Sequence, residues 1–282
     1  MKKSALVFGV SGQDGAYLAK LLLSKGYEVH GVTRNLASTS FSSLKLLDVF
    51  DQVKLYQARI QDYHSILQLI ERVNPGEIYN LAGQSSVSNS FQYPLETLTS
   101  ITIGTLNILE AVRQSGSTAR VYNAGSSEAF GDAAAEGADE LTPFEPKSPY
   151  GVAKSAACLT VKNYRESYSI YACSGLLFNH ESLLRPVQFV TKKVASAAAK
   201  IALGFSNTLV VGDLKIERDW GWAPEYVEAM WLMMQRDKAE DFVVASGRCY
   251  SLEYFVQLGM KTLSSTWRVL RRRNFHKVLN IG

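Results

Sequence analysis

The chain has 282 residues, is 46% hydrophobic and 20% charged, and carries a formal charge of +4. That size predicts one large domain or two closely joined ones, and the apolar fraction excludes a largely disordered chain. No apolar run reaches about 18 residues, so a membrane span is not expected. Charge is uneven along the chain. No acidic residue follows Glu253, whereas Lys261, Arg268, Arg271, Arg272, Arg273 and Lys277 do. Setting those six aside leaves −2 for the first 253 residues, so the basic excess belongs to the tail. Three cysteines, Cys158, Cys173 and Cys249, form no CxxC pair and no metal-ligand spacing. Such sparse usage fits a reducing cytoplasm, core packing for each thiol, and no metal site.

Ser4 to Val10 reads as a short apolar strand, Ala16 to Leu23 as a helix closed by Lys25-Gly26, and Glu28 to Thr33 as a second strand. Strand, glycine turn, helix and strand make a βαβ unit, which requires a parallel pair. The alternation continues through a strand at Val53 to Gln57, a helix at Tyr63 to Val73, and a strand at Glu77 to Leu81. A helix at Thr102 to Gln114, a strand at Arg120 to Ala124 and a helix at Ala153 to Ser167 follow. Asp132 to Asp139 reads as an exposed loop. This pattern predicts an α/β fold, a doubly wound parallel Rossmann sheet over residues 1–178. From Asn179 the alternation weakens. Helices at Pro186 to Leu203 and Pro224 to Gln235, with a short strand at Thr208 to Val211, predict a smaller C-terminal substrate lobe over residues 179–282.

Gly9, Gly12 and Gly15 form GxxGxxG between the first strand and the first helix. Glycine allows the tight turn and close backbone approach, and the helix N-terminus offers free N–H groups to a diphosphate. Inside a βαβ unit this predicts dinucleotide binding; a tight turn without a ligand is the alternative. The second strand ends at Thr33-Arg34-Asn35. A cation there favours a ribose 2′-phosphate, so Arg34 predicts NADP over NAD unless it is only a solvated surface arginine.

Tyr150 and Lys154 stand four apart, on one helical face. An ammonium near a phenol favours the phenolate, which supplies a base for an alcohol as hydride leaves the adjacent carbon. Upstream, Ser126 and Glu128 follow a predicted strand end. The serine hydroxyl can hydrogen-bond a reacting oxygen. A carboxylate beside it can take a proton from carbon and return one to a leaving hydroxide. Two bases imply dehydration as well as oxidation; the alternative is that Glu128 caps the following turn.

These segments resemble the extended short-chain dehydrogenase/reductase superfamily and, within it, the GDP-mannose 4,6-dehydratase family. The resemblance is carried by GVSGQDGAYLAKLL at 9–22, YNLAGQSSV at 79–87, SSEAFG at 126–131, SPYGVAK at 148–154, LLFNHES at 176–182, FVTKKV at 189–194 and RDWGWAPEYVEAMWLMMQ at 218–235. It covers residues 1 to about 257. The resemblance implies internal hydride transfer through NADP, with Tyr150, Lys154, Glu128 and Ser126 as the catalytic set. Ser126 stands where the family usually has threonine. It implies cofactor contacts at Gly9, Gly12, Gln13, Asp14, Gly15, Arg34, Leu81, Ala82, Gly83, Ser85, Tyr150, Lys154, His180 and Arg185. Sugar-nucleotide contacts would fall at Ser85, Asn179, Val190, Lys193 and Arg218, where the cations suit a diphosphate. A soluble, cytoplasmic enzyme acting on GDP-mannose is expected. A dimer through the helices at Thr102 to Gln114 and Ala153 to Ser167 would suit the superfamily.

Several positions depart from the family pattern. Only Arg34 remains of two arginines after the second strand, and LASTSFSSLKLL at 36–47 replaces a segment used for tetramer contacts. Ala58-Arg59-Ile60 puts an arginine where an aspartate usually stands, and FNHESLLRP replaces FNHESPRRG. A later segment that closes the nucleotide pocket in relatives is not found, and the resemblance fades after about Gln257. Two further readings therefore stand beside the dehydratase: an NADP-dependent reductase or epimerase of keto-sugar nucleotides, and a cofactor-binding homologue with little activity. The arginine-rich tail could attract nucleic acid, but a solvated helix face is the simpler expectation.

Overall fold

The structure, a computed structural model, describes residues 3–132, 137–205 and 208–262. The tail arginines Arg268, Arg271, Arg272 and Arg273 lie outside the described residues. Contacts divide the chain into two compact units, Met1–Phe178 with Ala223–Val244, and Asn179–Trp222 with Ala245–Gly282.

The first unit is built on seven strands. They are β1 (Ser4–Phe8), β2 (Glu28–Thr33), β3 (Lys54–Gln57), β4 (Glu77–Asn80), β5 (Arg120–Ala124), β6 (Ala172–Leu177) and a later strand at Phe242–Val244, in the order β3-β2-β1-β4-β5-β6 with that last strand at the edge. Every pairing is parallel. Parallel sheets carry helices on both faces, so their strands are buried throughout, and β4 and β6 are buried at every residue. The first helices are α1 (Gln13–Ser24), α2 (Ser42–Leu46) and α3 (Tyr63–Val73). They are followed by α4 (Val87–Gln92), α5 (Pro94–Leu98), α6 (Gly104–Gln114) and α7 (Pro149–Tyr168). The stretch expected as a helix from Thr102 begins earlier. Pro94 starts α5, and a π-helical turn at Thr99–Ile103 joins it to α6. α7 also starts before the expected Ala153, because Ser148 caps it and Pro149 suits the first turn. Strand order reverses between β1 and β4, which opens a crevice at the carboxyl ends of those two strands.

The second unit holds β7 (Asn179–Glu181), β8 (Glu217–Trp222) and β10 (Cys249–Ser251), with α8 (Val190–Ala202) and α10 (Leu252–Thr262). β7 is parallel to β8, and β10 antiparallel to it. Val194, Ala198, Ile201, Leu209, Leu252 and Val256 form its core. Buried Asp219 accepts N–H bonds from Ser246 at 3.1 Å, Gly247 at 2.8 Å and Arg248 at 3.3 Å, which ties the entry of β10 to β8.

Four expectations change here. The C-terminal lobe is not one stretch, since Ala223–Val244 returns to the first unit as α9 (Ala223–Met234) and β9 (Phe242–Val244). The reason is a set of specific partners. Glu77 accepts from the Tyr27 hydroxyl at 2.9 Å, the Tyr79 hydroxyl at 2.7 Å and Gln235 Nε2 at 3.1 Å. Trp231 Nε1 donates to the Tyr27 oxygen at 3.2 Å, and Arg165 grips Asp241 in two bonds of 2.9 and 2.8 Å. The segment Thr208 to Val211 has irregular backbone rather than a strand, and the helix expected from Pro186 starts at Val190. Cys158 and Cys173 are buried as expected, but Cys249 is exposed on β10.

Candidate active site

The glycine loop lies where strand order reverses. Gly9 has φ +83°, a region side chains rarely adopt. A Cβ there would stand 2.8 Å from the Leu81 carbonyl oxygen and 3.0 Å from the Ala82 nitrogen, so only glycine lets the exits of β1 and β4 close up. At Gly15 a Cβ would come within 2.6 Å of the Val10 Cα, which fixes how near α1 stands to the loop. Gly12 caps α1 with extended backbone and brings no side chain of its own to the first helical N–H groups. Gln13 is buried and donates to Asp14 at 3.0 Å. Arg34 follows β2, is 75% exposed, and lies 3.7 Å from the Glu96 carboxylate.

Beyond β4 the chain runs through Leu81, Ala82 and Gly83 to exposed Ser85. It is held by Leu81 N–H on Phe8 O at 3.0 Å and by Gln84 N–H on the Ser100 hydroxyl at 3.3 Å. Behind it, Asn80 donates to Thr105 at 3.1 Å and to Asn123 at 3.2 Å. Asn123 in turn donates to Ser174 at 3.4 Å. This buried ladder crosses β4, β5 and β6, and sequence reading did not find it. Nothing in the local pattern marks polar residues that meet only across strands.

β5 ends at the predicted chemistry. Ser126 is buried, and its hydroxyl accepts from Glu128 N–H at 3.3 Å, closing the short helical turn Ser127–Ala129. The turn is therefore capped by Ser126, not by the Glu128 carboxylate, which is half-buried and bonded to no described residue. α7 packs directly on this turn, since a Cβ on Gly151 would sit 2.5 Å from the Glu128 carbonyl oxygen. Its first turns bring Tyr150 and Lys154, each 8% exposed. Lys154 Nζ donates to Ala124 O at 2.6 Å and lies 5.7 Å from the centre of the Tyr150 ring. Ser126, Glu128, Tyr150 and Lys154 thus converge at the end of β5.

The second unit contributes a cavity of about 280 Å³. Asn179, Glu181, Arg185, Val190, Arg218 and Trp220 are among its walls. Three residues expected to bind the sugar nucleotide meet there, and Lys193 does not, being exposed on α8 outside that lining. Arg185, expected at the cofactor, lines the same cavity. Its guanidinium lies 3.7 Å over the Phe189 ring and its Nε 3.2 Å from Glu181. His180 is buried on β7 between two wall residues.

A family model described as GDP-mannose 4,6 dehydratase matches residues 6–278. The chain belongs to the GDP-mannose 4,6-dehydratase family. The match runs past Gln257, where resemblance was expected to fade. Among curated members of the family, GDP-mannose 4,6 dehydratase 2 of Arabidopsis thaliana is 42% identical over 279 residues, covering 95% of this chain and 74% of that protein. The Vibrio cholerae GDP-mannose 4,6-dehydratase is 43% identical over 94% of this chain and 73% of its own. The human GDP-mannose 4,6 dehydratase is 42% identical, with 93% and 73% covered. A dTDP-glucose 4,6-dehydratase from Streptomyces venezuelae aligns with a TM-score of 0.82 at 19% identity, over 94% of this chain and 82% of that one. A UDP-glucose 4-epimerase from Thermotoga maritima aligns at 0.81 and 22% identity, over 93% and 82%. Those two show that dehydratase-family members share their fold with epimerases. No helix among the described residues is long and apolar enough to cross a membrane.

Proposed function

We propose that this chain converts GDP-mannose to GDP-4-keto-6-deoxymannose and water, using bound NADP. The observation that carries the reading is the half-buried Glu128 carboxylate, bonded to no described residue, on the turn against which Gly151 packs between Tyr150 and Lys154. An alcohol dehydrogenase or epimerase needs the tyrosine and lysine only; elimination needs a second base. The family relatives, named as GDP-mannose dehydratases, support the substrate. The open glycine cradle and the uncapped start of α1 fit a dinucleotide diphosphate, and Arg34 at the end of β2 fits a 2′-phosphate.

NADP, held by the glycine turn and Arg34, would supply a hydride acceptor for carbon 4 of the sugar and a hydride donor for carbon 6. The remaining steps belong to the chain. Tyr150 takes the proton of the 4-hydroxyl. Ser126 donates a hydrogen bond to the oxygen that becomes the ketone. Lys154, anchored on Ala124 O and 5.7 Å from the centre of the Tyr150 ring, holds the ribose. Glu128 then removes the proton at carbon 5, acidified by the new ketone, and delivers it to the departing 6-hydroxyl as water. The proton kept on Tyr150 goes to carbon 5 as carbon 6 is reduced, so the sequence is redox-neutral and the proton count closes. In the second unit, Asn179, Val190 and Arg218 are assigned to the nucleotide sugar through the cavity they share, and Lys193, together with Ser85 of the first unit, is assigned to the same ligand by the family resemblance alone. In the first unit, Gly9, Gly12, Gln13, Asp14, Gly15, Leu81, Ala82 and Gly83 are assigned to the cofactor, and His180 and Arg185 are assigned to it by the resemblance alone. We also assign a homodimer to the α6 and α7 face, where Val152, Leu159 and Tyr168 are exposed, and light scattering of the purified chain tests it.

The test is incubation of the purified chain with GDP-mannose and catalytic NADP, with nuclear magnetic resonance detection of the keto-deoxy product. Glu128→Gln is expected to abolish the product and leave cofactor affinity unchanged. Cofactor binding without product from the unaltered chain would replace this reading with that of a binding homologue, an epimeric GDP-hexose retaining its 6-hydroxyl would replace it with an epimerase, and consumption of NADPH with a keto-sugar nucleotide but not with GDP-mannose would replace it with a reductase.

A further inference from the structure

We propose that Arg59 is a second cation for the cofactor's 2′-phosphate, acting beside Arg34 to set the preference for NADP over NAD; this rests on the NADP reading above. β2 and β3 are parallel, with Thr33 opposite Gln57. Ala58 N–H extends the ladder by donating to Thr33 O at 3.0 Å. Neighbouring strands stand about 4.8 Å apart. Arg34 and Arg59 therefore leave the sheet from adjacent carboxyl ends, one residue and two residues beyond the same register pair, and both are exposed.

The groups around Arg59 leave its charge available. Asp62, the nearest acid along the chain, is committed to the cap of α3, accepting from the Ser65 N–H at 3.3 Å and from the Ser65 hydroxyl. No described residue forms an ion pair with Arg59. Among the described residues Arg34 pairs only with the Glu96 carboxylate, at 3.7 Å, with both side chains more than half exposed. Such a pair is weak and yields to a stronger anion. Asn35 spends its side-chain oxygen on its own turn, accepting from Ala37 N–H at 2.9 Å and Ser38 N–H at 3.1 Å, and it carries no charge. The cationic groups at this edge are the two guanidinium groups. A phosphate monoester carries up to two negative charges and three acceptor oxygens, which two guanidinium groups satisfy better than one. The 2′-hydroxyl of NAD carries no charge, so Arg59 acts on discrimination between the two cofactors more than on affinity for either.

Titration calorimetry of the full chain with NADP⁺ and with NAD⁺ tests this, on the unaltered protein, Arg34→Ala, Arg59→Ala and Arg59→Lys. Arg59→Ala is expected to weaken NADP⁺ by about ten-fold and NAD⁺ by less than about two-fold, with Arg59→Lys recovering part of the loss. The loss should shrink as salt rises. Equal weakening of both cofactors would make Arg59 an adenine contact and overturn the proposal; so would no weakening of either. If the unaltered chain binds the two cofactors alike, the NADP reading falls and this proposal with it. If the unaltered chain prefers NADP⁺ and Arg59→Ala keeps that preference, this proposal alone falls.

Discussion

Gly9→Ala tests the junction proposed to cradle the cofactor. The added methyl group meets two costs. At φ +83° an L-residue pays about 1–2 kcal/mol for the left-handed backbone. The Cβ would also lie 2.8 Å from the Leu81 carbonyl oxygen, 2.9 Å from its carbon and 3.0 Å from the Ala82 nitrogen. All three atoms are backbone, and Leu81 is fastened to Phe8 by a 3.0 Å hydrogen bond, so no side chain can swing aside. Forced overpacking of this kind costs about 1–3 kcal/mol more. Together these give roughly 2–5 kcal/mol, measured by urea unfolding followed through tryptophan fluorescence. The loop that shifts carries Leu81 and Ala82, so calorimetry should show cofactor affinity reduced at least about ten-fold in the folded variant. Gly26→Ala separates the two costs. Gly26 has φ +78°, but a Cβ there meets nothing within 4 Å. It should lose only the backbone share, about 1–2 kcal/mol, with cofactor binding unchanged. Should Gly9→Ala prove no less stable than Gly26→Ala and bind cofactor normally, the argument that the β1 and β4 exits require glycine is refuted.

Three further outcomes are expected. Glu77→Ala leaves the buried phenols of Tyr27 and Tyr79 without their shared acceptor and frees Gln235, so urea unfolding should show a loss of about 3 kcal/mol or more; a loss under about 1 kcal/mol would mean that the network does not hold α9. Burial pushes the Cys158 thiol up to about 11 and the Cys173 thiol up to about 12, while Cys249 is exposed. A colorimetric thiol titration at neutral pH should therefore count Cys249 and neither of the other two in the native protein, and all three of the chain's cysteines after denaturation. The Arg113 hydrogen bond is the main cause that holds the Glu110 carboxyl at about 2, against an ordinary 4.5. A depressed acid stabilises the fold above its unfolded value and loses that contribution as pH falls. The stability difference between the unaltered chain and Glu110→Gln should thus be full above pH 4.5 and fade between 4.5 and about 2; a difference independent of pH across that window would contradict the assignment.

The candidate catalytic cluster was legible because its parts are local. GxxGxxG sits in one turn, Ser126 and Glu128 in one short turn, and Tyr150 and Lys154 on one helical face. Periodicity and turn chemistry located each, and the strand pattern located their carboxyl ends. The helix at Tyr63–Val73 was legible for the same reason, with Asp62 as its cap and Asn74 in the left-handed position at its close. What escaped were features made by distant residues. The Asn80–Asn123–Ser174 ladder exists only once β4, β5 and β6 lie side by side. The return of Ala223–Val244 to the first unit depends on Glu77 and Arg165, more than 70 residues away along the chain from their partners Gln235 and Asp241.

By itself, then, the order of residues determined the fold class and the family and singled out Ser126, Glu128, Tyr150 and Lys154 as the candidate catalytic side chains, since backbone propensity and motif spacing act over a few residues. Tertiary structure decided how those side chains are used. It gave the cap of the turn to Ser126, which leaves the Glu128 carboxylate unbonded within the described residues. It drew Arg185 into the cavity with Asn179 and Arg218. It also set Arg34 and Arg59 at neighbouring strand ends through the register of β2 and β3. The physical reason is that burial, register and hydrogen-bond competition depend on what the rest of the chain brings alongside a residue, and local sequence carries no record of that neighbour.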